Sequence, residues 1–160
     1  MKKLFFCMTV AVIVLCSCGG GKMSPSTYNE KIVRMHSNAW DYLNPRMETI
    51  FEHEISKEDA LKLVDSLSMK YDGYVKELKS LKLPDGAEDW NNVCIQLFEY
   101  VRDSVVTLYG ETLNFEPETK EWYNVWNEID KRMKGRADQI EDDMIREQGK
   151  FAAAVGQKLR

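Results

Sequence analysis

Apolar residues along this chain recur three and four positions apart, and no stretch sustains a two-residue alternation, so the spacing predicts helices throughout. A first helix carries Tyr28, Ile32, Met35, Ala39, Tyr42, Leu43, Met47 and Ile50 on one side, and Thr27 with Glu30 three residues on has capping-box spacing. Pro45 falls inside it. An interior proline costs about 3 kcal/mol and crowds the carbonyl four residues earlier, so a kink or a restart capped by Asn44 is expected. The stripe keeps its phase across the proline, which favours the kink. A second helix opens at Ser56, with Asp59 completing its cap, and runs Ala60, Val64, Leu67, Tyr71, Tyr74, Leu78, Leu81 in alternating steps of four and three, as bundle helices do. Pro84, Asp85 and Gly86 force a turn. Asp85 and Glu88 then stand where they could cap a third helix bearing Trp90, Cys94, Leu97, Val101, Val105 and Leu108, whose end begins at Gly110. Pro117 suits the first turn of a fourth and longest helix, which carries Trp122, Trp126, Ile129, Met133, Ala137, Ile140, Met144 and Phe151 and reaches towards Val155.

Amphipathic helices joined by connections this short pack antiparallel, because a loop such as 84–86 cannot return the chain along a bundle's length. The expected fold is all-α: an up-down-up-down four-helix bundle with helix 1 kinked at Pro45. A three-helix bundle with a broken first helix is the alternative.

The start of the chain follows a different pattern. Lys2 and Lys3 precede a stretch from Leu4 to Leu15 that is apolar except for Thr9. This is shorter than the roughly 20 helical residues a bilayer core requires, and it matches the charged and apolar regions of a signal peptide. Leu15-Cys16-Ser17-Cys18 follows at once and looks like a bacterial lipobox, with an aliphatic residue, a small residue before the cut, and the acceptor cysteine. Cleavage is expected between Ser17 and Cys18, with Cys18 taking the lipid. Cys16 is the competing acceptor, but Leu15 before it is too bulky for the peptidase slot. At about 0.8 kcal/mol per buried methylene, two or more acyl chains make attachment stable. The expected divisions are a signal peptide at 1–17, the lipidated cysteine with a flexible tether at 18–26, and the helical domain at 27–160. Gly19 is not an acidic residue, which, where an Asp-based sorting rule applies, points to the outer membrane, on its periplasmic or its surface face.

This reading changes the cysteine count. Of four cysteines, Cys7 and Cys16 leave with the leader and Cys18 carries lipid, so Cys94 has no partner and is expected to pack as a small hydrophobe. Losing Lys2 and Lys3 takes the formal net charge from −4 to −6. With 30% charged and 44% hydrophobic residues the chain is neither a disordered tail nor a membrane-embedded protein, and its acidic balance argues against nucleic acid as a partner.

Catalytic chemistry is sparse. A carboxylate-bridged di-iron site needs Glu-x-x-His on two helices, yet Val33 and Ile50 stand three residues before His36 and His53. Zinc spacing is missing too, and Glu52-His53-Glu54 cannot converge, because successive helical residues point about 100° apart. His36 is expected at the boundary of the stripe, His53 at a helix end, and the run Glu141, Asp142, Asp143 on a solvated face. Neither catalytic residues, a metal site nor a cofactor is expected. The aromatic residues remain: Trp122, Tyr123 and Trp126 on the fourth helix, grouped with Phe51, Tyr109 and Phe115 at the end farthest from the lipid. Tyr123, Phe115 and Trp122 are the candidate partner surface, although Trp122 and Trp126, four apart, also suit the wide end of the core.

The chain resembles a family of small bacterial surface lipoproteins of unknown function, each a signal peptide followed by a helical domain. The similarity lies in Tyr28-Asn29-Glu30-Lys31-Ile32-Val33 and in Lys150-Phe151-Ala152. It implies a lipid-anchored envelope protein and carries no catalytic residue. Together these readings lead to a non-enzymatic module that binds a protein or polymer of the envelope, or that self-associates as a homo-oligomer. The alternative is a small-ligand carrier or hydrolase using a cavity between helices.

Overall fold

The computed structural model describes residues 21–52 and 55–156. The expected signal peptide, its cleavage point after Ser17 and the lipid acceptor Cys18 lie outside those residues, as does His53. The described residues are all-α, with no strand among them. They form four long helical stretches: α1, Pro25–Phe51; α2, Lys57–Ser80; α3, covering 88–112; and α4, covering 120–154.

α1 begins two residues before Thr27. Ser24 caps it, accepting from the Thr27 N–H at 3.2 Å, and Pro25 sits at the first helical position, where its missing N–H costs no bond. The helix then continues unbroken through Pro45, so the restart at Asn44, and with it the three-helix alternative, does not occur. Side chains supply extra bonds around the proline: Arg46 Nη1 donates to the Tyr42 carbonyl (2.9 Å) and Thr49 Oγ1 to the Pro45 carbonyl (2.9 Å). Ser56 caps α2 as expected, accepting from the Asp59 N–H at 3.2 Å. Two other caps differ from expectation. α3 starts after Ala87 with no side-chain cap, so Asp85 does not fill that role; Gly86, at φ 80°, makes the turn instead. α4 starts at Lys120 behind Thr119, whose hydroxyl accepts from the Trp122 N–H at 3.3 Å, and Pro117 stays in the preceding loop.

α3 and α4 each contain one wide π turn, Val101–Val106 and Met133–Ala137. The apolar stripes explain both. Leu97, Val101 and Val105 are spaced by two consecutive fours, and so are Ile129, Met133 and Ala137. Eight residues of regular α-helix overshoot two full turns by about 80°, which would swing the stripe out of the core. A turn closed by i→i+5 bonds absorbs the extra residue. The two wide turns lie close together: Arg132, just before the second, points Nη1 at the Ser104 carbonyl in the first (3.5 Å). Both helices therefore slip in register at the same level, and their apolar sides continue to face each other beyond it. The earlier part of α3 touches 138–154 of α4, and Thr107–Thr112 touches Lys120–Arg132.

One aromatic knot joins the start of α1, the start of α3 and the end of α4. Tyr28 packs edge-on against Trp90 (5.2 Å) and Phe151 (5.8 Å), and Trp90 lies 5.5 Å from Phe151. Such pairs add about 0.5–1.5 kcal/mol each beyond their buried area. The Tyr28 hydroxyl donates to buried Asn91 Oδ1 (3.1 Å), and the Asn91 amide reaches the Leu78 carbonyl near the end of α2 (3.4 Å). Cys94 is buried beside this knot as a free thiol, and burial pushes that thiol up to about 12.

Candidate functional site

The start of α4 is fixed by its cap. Glu118 adopts φ 62° to turn the chain, and the Thr119 hydroxyl holds the first turn, which places Trp122 against the end of α1. Phe51 lies 5.2 Å from Trp122 and meets Trp126 edge-on at 4.9 Å. Trp122 and Trp126 touch each other at 5.6 Å, and Tyr109 from α3 closes the group against Trp126 at 5.3 Å. Trp122 is only 3% exposed, so it is a core residue and offers no surface of its own. Its neighbours do. Phe51 is 46% exposed and Tyr123 47%, and Tyr123 packs edge-on to Trp122 at 4.8 Å. Phe51, Trp122 and Tyr123 thus form a row of touching rings whose outer two members stand half in water. Trp126 Nε1 and Tyr109 Oη, behind the row, are buried without a hydrogen-bond partner among the described residues.

Phe115, in the loop before α4, is also exposed, and it lines a cleft of about 300 Å³ with Ile50, Ile55, Ala60, Thr112 and Leu113. Of the three candidate residues, Tyr123 and Phe115 are therefore accessible, Trp122 supports them from beneath, and Phe51 joins the surface from α1. The sequence groups Phe51 with these rings but does not name it as a surface residue, because Phe51 sits one residue past the apolar stripe of its own helix and its exposure is set by the fold.

A second polar constellation bridges α1 and α4. Glu141 Oε1 accepts from Trp40 Nε1 (2.8 Å) and pairs with His36 Nε2 (2.8 Å), while the two ring nitrogens lie 2.9 Å apart. One carboxylate oxygen is thus the meeting point of both rings. The hydrogen bond from His36 is the main cause that holds the Glu141 carboxyl below its usual range, with the Trp40 bond adding to it. Glu141 is half-buried and not on the solvated face expected for it, because α1 packs over that position. Two turns further along, Gln148 Nε2 donates to Asn29 Oδ1 (2.8 Å), so the contact between these helices carries repeated polar links. No hydroxyl or thiol bonds to His36, and no three metal-liking side chains gather among the described residues. The arrangement fastens two helices and has the geometry of a staple, not of a nucleophile with its base. No helix among the described residues is long and apolar enough to cross a membrane.

No known protein family, curated protein or solved structure matches the chain.

Proposed function

We propose that this chain is a lipid-anchored, non-enzymatic protein of a bacterial cell envelope, held at the outer membrane through Cys18. Its four helices form an up-down-up-down bundle, and its Phe51–Trp122–Tyr123 end binds another envelope protein or a structural polymer. The bundle topology is supported by two groups of contacts. Tyr28, Trp90 and Phe151 meet at one end of their helices, where Asn91 also bonds to Leu78, and Phe51 and Tyr109 meet Trp126, with Trp122 beside it, towards the opposite ends of theirs. The anchor rests on Leu15-Cys16-Ser17-Cys18 and the apolar stretch before it.

One observation carries the binding role: two half-exposed rings, Phe51 and Tyr123, locked in place by buried Trp122 between them. Rigid aromatic area costs little entropy to immobilise, which is why such rings recur at recognition surfaces. The test replaces Phe51 and Tyr123 with alanine in the full, lipidated chain. Crosslinking in intact envelopes and cosedimentation with purified cell-wall sacculi are then compared with the native protein, and an unchanged circular dichroism spectrum confirms the fold. Loss of a specific crosslink or of sacculus binding is expected. Identical partners and identical sedimentation would remove the aromatic end from the function. The second reading, a small-ligand carrier, rests on the cleft beside Phe115, and it predicts that Ala60→Trp, which fills that cleft, abolishes binding while Tyr123→Ala leaves it intact.

A further inference from the structure

Acylation at Cys18 leaves only residues 19–21 before Lys22, and Lys22 is already tied to the fold. Its ammonium pairs with Asp85 in the α2–α3 connection. The Met23 N–H donates to the Lys82 carbonyl at 3.0 Å, the Met23 side chain packs half-buried against the core, and Ser24 caps α1. Residues 22–26 of the segment expected as part of an 18–26 tether therefore belong to the fold. Four steps of at most about 3.6 Å let Cys18 stand no more than roughly 14 Å from Lys22. α1, by contrast, runs about 40 Å from Pro25 to Phe51 at 1.5 Å per residue. A leash this short cannot reach around a domain of that length.

We propose that the end of the domain formed by Met23, the α2–α3 connection and the close of α4 rests on the lipid surface that holds the Cys18 acyl chains, with the Phe51–Tyr123 end standing away from it. This rests on the lipoprotein reading and adds an orientation to it. The surface nearest the leash suits a lipid headgroup layer. Leu81 and Leu83 are half-buried on either side of exposed Lys82, and Val155 lies half-buried at the close of α4. Charge does not drive the docking, since Asp85 is paired with Lys22 while Glu88 and Asp89 open α3 beside it. The acyl chains supply the attachment and the short leash sets which end faces the bilayer, so zwitterionic lipid suffices.

The experiment uses the full, acylated chain in phosphatidylcholine vesicles. An environment-sensitive fluorophore is placed in turn at Lys82→Cys, Met69→Cys and Tyr123→Cys, and quenching by spin-labelled lipid is read at each. Cys94 is buried and does not compete for the label. Quenching several-fold stronger at 82 than at 123, with 69 between them, is expected. Equal quenching at the three positions, or the reverse order, in protein shown by mass spectrometry to carry its acyl chains, overturns the orientation alone. A Cys18 without acyl mass overturns the lipoprotein reading and the orientation with it.

Discussion

Tyr28 shows how much one side chain joins. Its ring touches Trp90 and Phe151 and its hydroxyl bonds to Asn91, so Tyr28→Phe keeps the ring contacts and removes one bond from a buried amide. Leaving Asn91 Oδ1 short of its donor should cost about 1–3 kcal/mol in urea unfolding, with an unchanged denaturant slope. Glu141 gives a pH signature. Its carboxyl is held below the usual 4.5 in the folded state, so the stability it contributes is fully present above that value and fades as pH falls through the lower, folded value. Unfolding curves taken from about pH 6 to about pH 3 should therefore lose less stability in Glu141→Gln than in the native chain. An equal loss in both would sink that account. The linear sequence hides this residue: Glu141 sits in a run with Asp142 and Asp143 that looks like an ordinary wet face, and only the docking of α1 covers it. Asn91 is hidden likewise, one position from Trp90 and four from Ala87 on a side that sequence polarity marks as outward.

The helices themselves were legible, because burial follows the three-and-four spacing almost residue for residue. Tyr28, Ile32, Met35, Ala39, Leu43 and Ile50 are all buried in α1, and Leu67, Tyr71, Tyr74 and Leu78 in α2. The π turns were less so, since a repeated step of four reads as noise until two neighbouring helices are seen to share it. Caps were the least legible. Ser24 and Thr27 are both good cap residues, and the choice between them depends on Pro25 already fitting the first turn and on Met23 bonding to the α2–α3 connection. Within α2, Gly73 lies on the exposed side, and a Cβ built there meets nothing within 4 Å. Gly73→Ala should therefore raise stability by about 0.5–1 kcal/mol, seen as a higher melting temperature, because glycine gives up more backbone freedom on entering a helix.

For the molecule as a whole, the aromatic end was half legible. The i, i+4 pair Trp122 and Trp126 announced a wide apolar layer, and Tyr123, one position off it, announced an outward ring. Phe51 was grouped with that end from the order of the helices, but its half-exposed ring was not foreseen, since that depends on how α1 meets α4. Cys94 has a consequence that reaches beyond packing. Because the thiol lies sealed beneath Tyr28, Trp90 and their neighbours, a sulfhydryl reagent reaches it only when the fold opens, and the domain carries its own stopwatch for that event. Under native conditions the modification rate should follow the equilibrium between closed and open molecules, and it should quicken in Tyr28→Phe by the factor that matches its lost stability. For as long as the helices hold, the Cys94 sulfur stays silent to oxidants and exchange partners alike.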